Sequence, residues 1–285
     1  MARRTSLLLV LLATWTLVLV TPGSAIIGGH FDGADHPYVG LADNGTTACS
    51  GTLLSPTVML TAAHCFSGSA SAFGTNSVTG APIVRVTFDP NLINTPREQR
   101  VWYFGSYYFD PRFSLGGNGL PGTTRHDLAL VVFTPAGCSP CGLVPSGATL
   151  GQYGTLPAPD AVSGLTANTP IEIVGFGVQN FTRGGGKPEF GSAFTRYAGN
   201  TSLIAGNDRF NANGFIKLHA NDSGVCFGDS GGPDVVAGTH TVIAVNSFDT
   251  NDLCSGVTYS YRVDTADSLG WIASAVAAAG ASLRG

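Results

Sequence analysis

Charge is what this chain has least of. Asp, Glu, Lys and Arg make up 11% of its 285 residues, and only Lys187 and Lys217 are lysines. Intrinsic disorder needs low hydrophobicity and high charge, so a chain that is 44% hydrophobic with positive mean hydropathy reads as globular. No Lys/Arg run exists to neutralise phosphates, and the formal net charge is −4, so no nucleic-acid partner is expected. There is no internal repeat, and no linker long enough to divide the chain into independent units. After residue 25, no stretch has the roughly 20 consecutive apolar residues that a spanning helix needs, which leaves no membrane association in the mature chain.

The first 25 residues read differently. Arg3 and Arg4 precede a mostly apolar run from Ser6 to Val20, and Gly23 and Ala25 supply the small residues of a signal-peptidase site. The expected organisation is a signal peptide over 1–25 and a secreted, extracellular domain over 26–285. Six cysteines in an oxidising compartment predict three disulfides.

Strand signals dominate the mature chain. Residues 83–88, 127–133, 171–174 and 242–245 are short β-branched or apolar runs, separated by Gly/Pro/Asn/Thr clusters such as 114–124 and 182–188. Only residues 265–279 look helical, with Leu269, Ile272 and Val276 three and four apart. Short strands without a βαβ rhythm predict an all-β, antiparallel barrel or sandwich.

Three segments together carry the parts of a serine acyl-transfer site: a hydroxyl nucleophile, an imidazole base and a buried carboxylate that fixes its tautomer. Thr61-Ala62-Ala63-His64-Cys65 follows the apolar Val58-Met59-Leu60. A Cys49–Cys65 bridge would clamp the turn carrying His64. His126-Asp127-Leu128-Ala129-Leu130 places an aspartate at the head of a buried strand, where it needs a hydrogen-bonding partner such as His64. Gly228-Asp229-Ser230-Gly231-Gly232-Pro233 flanks a serine with residues that let the backbone turn sharply, so that the amides of Gly228 and Ser230 can serve as oxyanion donors.

In the order His, Asp, Ser, these motifs resemble the chymotrypsin/trypsin family of serine proteases. The likeness runs from Ile26-Ile27-Gly28-Gly29 to the terminal helix around Trp271-Ile272. It implies two packed six-stranded antiparallel β-barrels with a C-terminal helix, a boundary between the barrels near 140–160, and catalysis by His64, Asp127 and Ser230. It further implies a Cys226–Cys254 bridge across the specificity pocket. Cys138-Ser139-Pro140-Cys141 has no counterpart in the common pattern. Its spacing would suit a redox pair or half a zinc site, but no second Cys/His pair completes a metal site, and a local disulfide is expected. Neither a metal nor a cofactor is expected, and the loop over 68–80 lacks the acids that bind calcium in some relatives. Few lysines with abundant Ala, Gly and Thr fit a GC-rich bacterial source.

The resemblance also implies activation by a new N-terminus, the Ile26 ammonium pairing with Asp229. Most relatives carry a basic residue before that terminus; here none occurs between Arg4 and Ile26, so signal removal itself is expected to expose it. By alignment, Gly224, Val225, Phe227 and Gly256 form a pocket for a hydrophobic side chain, and Ser247-Phe248-Asp249 pairs with the substrate backbone. Asp249 stands where most relatives have glycine, and it either enters the pocket mouth and favours basic residues or faces water. Asp222, two residues before Gly224, is a second acid near the pocket. The expected partners are protein or peptide substrates and protein protease inhibitors, acting on a monomer. The alternatives are a catalytically inactive homologue used as a binding module, and a serine esterase. Asn44, Asn180, Asn200 and Asn221 each open a glycosylation sequon.

Overall fold

The structure is a computed structural model that describes residues 26–113, 126–142, 152–182, 189–191, 193–206, 214–250 and 253–283. The expected signal peptide, the loop over 114–124 and nearly all of that over 182–188 lie outside the described residues.

Strands β2 (Val39–Asp43), β3 (Ala48–Ser55), β4 (Val58–Thr61), β5 (Ile83–Thr87), β6 (Tyr103–Phe109) and β7 (Ala129–Val132) form a closed barrel in the order β2-β3-β4-β7-β6-β5. All pairings are antiparallel, and β5 returns to β2 through Leu41↔Thr87 and Ala42↔Val86. Closure removes the unpaired edges that an open sheet would present. It also explains why β4 and β7 read as continuous apolar runs: Val58, Met59, Leu60 and Ala129 to Val132 are all buried.

The second half repeats the plan. Strands β8 (Pro170–Gly175), β11 (Tyr197–Ala205), β12 (Phe215–Ala220), β13 (Pro233–Val236), β14 (Val242–Asp249) and β15 (Gly256–Arg262) close in the order β11-β12-β15-β14-β13-β8, with β8 pairing back to β11. A two-residue strand β1 (His30–Phe31) extends this sheet beside β11, and β9 (Asn180–Thr182) pairs with β10 (Glu189–Gly191) as a separate hairpin. The chain is thus two six-stranded antiparallel barrels, as the motif order implied.

One apolar cluster joins them. Leu54, Val58, Leu60 and Leu130 of the first barrel meet Val235, Val242, Val245 and Tyr261 of the second, and Ile272 and Val276 of helix α1 (Ala266–Ala278) pack into the same core. The helix begins where the sequence placed it: Thr265 is the N-cap, its hydroxyl accepting from the Ser268 N–H at 3.0 Å.

The N-terminal segment is fastened to the second barrel by buried ion pairs. Arg196 Nε donates to Asp32 Oδ2 at 2.5 Å, and its remaining nitrogens donate to the carbonyls of Val39, Phe88 and Gly33. His36 Nδ1 lies 2.5 Å from the other Asp32 oxygen. His36, itself buried, is thus a member of this network. Asn44 is buried as well, its Oδ1 accepting the N–H groups of Thr46 and Thr47, so the first sequon is closed to a glycan in the folded chain.

Candidate active site

His64 sits on a single 3-10 turn, Ala63–Cys65, directly after β4. Two features hold that turn. Cys65 is disulfide-bonded to Cys49 on β3, and the buried Tyr107 on β6 donates its hydroxyl to the carbonyls of Ala62 and Ala63, each at 2.8 Å. The other cysteines pair as Cys138–Cys141 and Cys226–Cys254.

Asp127 lies just before β7 and is fully buried. Its Oδ1 accepts the His64 backbone N–H at 2.9 Å, and its Oδ2 lies 2.8 Å from His64 Nδ1. A carboxylate only accepts, so Nδ1 carries the proton and Nε2 is left as the basic atom. Ser247 Oγ also donates to Asp127 Oδ2, at 2.5 Å. Burial alone would raise the Asp127 pKa, but the His64 charge and the hydrogen bonds from His64 and Ser247 outweigh it, and the net shift is downward. For His64 burial acts to lower the pKa; the charge and hydrogen bond of Asp127 overcome it, and the imidazole becomes more basic.

The segment from Val225 to Ser230 forms the facing wall. Gly228 has φ +100°, in the left-handed region, and a Cβ there would lie 2.9 Å from the Gly177 Cα, so only glycine fits. First-barrel residues support this loop: the Ser50 N–H donates to the Ser230 carbonyl at 2.9 Å, and the Ser50 hydroxyl donates to the Gly228 carbonyl at 2.9 Å. Asp229 points away from the cleft into a slot where any side chain at Gly175 or Gly177 would strike its carboxylate. Its two oxygens accept the N–H groups of Gly177 and Cys226, each at 2.8 Å. No cation meets it among the described residues; burial pushes its pKa well above the carboxylate range, the two backbone donors oppose that rise, and the Asp249 charge adds to it.

His64 and Ser230 line one cleft of about 350 Å³ between the barrels. No hydrogen bond joins Ser230 Oγ to His64 Nε2 in this structure; in unliganded sites such contacts are often long. Val225, Phe227, Ser247, Phe248 and Asp249 also line the cleft. Gly224 and Gly256, read by alignment as pocket walls, are not among its lining residues. Gly224 instead exchanges both backbone hydrogen bonds with Ile27, and Gly256 opens β15 opposite Ala220. Ile26 is buried in the core of the second barrel with Ile171, Ile173 and Val225.

Sequence reasoning gave Ser247 only a substrate-binding place and overlooked Tyr107 and Ser50. A serine or tyrosine inside a strand has no local signature. The partners of these side chains lie 44 to 178 residues away in sequence.

The fold has known counterparts. Human heparin binding protein superposes with a TM-score of 0.64 at 19% identity, covering 90% of this chain and 99% of that one. HL collagenase superposes with a TM-score of 0.63, also at 19% identity, covering 91% and 99%. No curated protein matches the chain by sequence. The family model described as Trypsin matches residues 26–272, a span that holds both barrels, the cleft and most of the terminal helix, and the chain therefore belongs to the trypsin family.

Proposed function

We propose that the chain is a secreted serine endopeptidase that works through an acyl-enzyme on Ser230. His64 Nε2 takes the Ser230 proton as Oγ attacks the scissile carbonyl. The oxyanion forms between the amides of Gly228 and Ser230. His64 then gives the proton to the departing amine, and a water repeats the cycle to free the acid. Asp127 keeps Nδ1 protonated and stabilises the imidazolium. The observation that carries this reading is the double contact of His64 with Asp127 in the cleft that Ser230 lines.

Export is supported by the leader-like first 25 residues and by three paired disulfides, which persist in oxidising compartments. Activation follows from removal of that leader: a free Ile26 ammonium supplies the cation that Asp229 lacks, and their union sets the Gly228 amide. Val225 and Phe248 give the acyl-side pocket apolar walls, which favour a hydrophobic residue, or the apolar stem of a longer one, before the scissile bond. Substrates are proteins or peptides, and protein inhibitors would dock along the same cleft of a monomer.

The likeness to heparin binding protein raises a second reading, a protease fold used as a binding module. A net charge of −4 and the lack of a Lys/Arg run argue against polyanion binding by this chain. Ser230 should react with a phosphonylating reagent, and the mature protein should hydrolyse casein, an activity that a pure esterase would lack. A Ser230→Ala protein that still digests casein would refute the assignment.

A further inference from the structure

The cleft contains an acid that this mechanism does not use. Asp249 ends β14, opposite Thr258 on β15. It lines the cleft beside Val225 and Phe248, and the buried Thr258 donates its hydroxyl to Asp249 Oδ1 at 2.7 Å. The carboxyl is therefore turned into the wall of the cleft and held there. Phe248 is fixed too, its ring stacked on Tyr259 at 4.7 Å. Among the described residues that line the cleft Asp249 is the one carboxylate, and none is a lysine or arginine. A carboxylate removed from water calls for a cation or a proton, and among the described residues that line the cleft only His64 could bring a cation.

Assuming the peptidase reading above, we infer that Asp249 is the specificity-determining residue of this cleft. It receives the terminal cation of a lysine or arginine side chain whose apolar stem lies along Val225 and Phe248, and uncharged apolar side chains are favoured when the carboxyl is protonated. Long basic side chains suit such a site because the stem buries against apolar surface while the head keeps its partner. Burial pushes the Asp249 carboxyl up to about 7, against the pull of the Thr258 hydroxyl, so the two forms exchange near neutrality. The charged groups around it are Asp229 in the catalytic loop, His64 in the same cleft, and Lys217, whose Nζ lies 5.5 Å from the centre of the Tyr259 ring.

Matched peptides differing only in Lys, Arg, Leu or Phe before the scissile bond test this. The Lys/Leu ratio of kcat/KM is the readout, because His64 and Asp229 act on both substrates and cancel. In the wild-type protein this ratio should rise about tenfold from pH 5.5 to 8.5 as Asp249 ionises. In Asp249→Asn, which keeps an acceptor for Thr258, it should fall about tenfold at the upper pH and lose its pH dependence. A flat ratio in the wild-type protein, or one that Asp249→Asn leaves in place, would overturn the inference. Binding of butylguanidinium to the Ser230→Ala protein, set against neutral butanol, reads the same site without catalysis. Guanidinium binding that Asp249→Asn abolishes supports it even if no peptide is cut, and equal binding to both proteins sinks it.

Discussion

Ser50 Oγ donates to the carbonyl oxygen of Gly228 at 2.9 Å, and so ties a strand of the first barrel to the turn that presents Ser230 from the second. The same hydroxyl accepts the Phe176 N–H at 2.9 Å, and the Ser50 N–H holds the Ser230 carbonyl. Three points of the proposed oxyanion loop and its support are thus pinned by one buried residue. Such pinning matters because donors aimed at the oxyanion act through geometry fixed before the reaction starts.

Replacing Ser50 with alanine removes the donor to the partly buried Gly228 carbonyl and leaves the buried Phe176 N–H unpaired, the latter at a cost of about 1–3 kcal/mol. The loop should loosen more than the barrels, so kcat should fall about 10- to 100-fold with KM little changed. Steady-state kinetics beside a thermal melt check this; full activity in a destabilised protein would reduce Ser50 to a packing residue.

The Asp127 contacts make a different prediction. Asp127→Asn can no longer hold Nδ1 in its protonated form, and kcat should drop by about 10⁴. Asp127 raises the basicity of His64, so what activity remains should show its acid limb at lower pH. Ser247→Ala removes a donor that offsets the Asp127 charge, so it should move the same limb slightly the other way, to higher pH. A pH–rate profile separates these effects from misfolding, which would lower the curve without moving it.

The residues proposed to do the chemistry were easier to read than those that hold them. His64, Asp127 and Ser230 each stand in a short string whose composition reflects a local need: a cysteine beside the histidine, an apolar run after the aspartate, glycines about the serine. Strands β5, β7, β8 and β14 were legible for the same reason, since burial on closed barrels leaves runs of Val, Ile and Leu. The supports were not legible. Ser50, Tyr107 and Ser247 act across the fold, and the slot for Asp229 exists only once Gly175 and Gly177 are brought beside it. The pairing of Gly224 with Ile27 was not legible either, because position relative to Cys226 does not say which segment of the chain meets it.

In the proposed scheme Asp229 ties the site to the start of the mature chain. A chain that retains even one residue before Ile26 presents no ammonium in that slot, and the carboxyl stays protonated or unpaired. Breaking such a buried pair typically costs about 3–5 kcal/mol. A variant whose leader is still cleaved but leaves one added alanine should therefore show at least about 100-fold lower kcat/KM, with unchanged disulfides and strand content. N-terminal sequencing of the secreted protein should begin at Ile26, and an active form that begins upstream would contradict the scheme.

The second barrel also carries a buried acid away from the cleft, and it makes stability depend on pH. Asp234, on β13 opposite Ala244, is fully buried; burial pushes its carboxyl up to about 8, against a weaker pull from Ser260. In the unfolded chain the group ionises near 3.8, so between these values the folded state binds one more proton than the unfolded state. Stability contributed by the neutral form is complete at low pH and declines as pH rises, at up to about 1.4 kcal/mol per unit, until the folded group ionises as well. Asp234→Asn keeps the shape and removes the titration. Its stability should therefore fall less steeply than that of the wild-type protein from about pH 5 to 8 and run parallel to it above about pH 9. Denaturant unfolding at several pH values measures both slopes, and identical slopes in the two proteins would show that Asp234 is not held neutral in the fold.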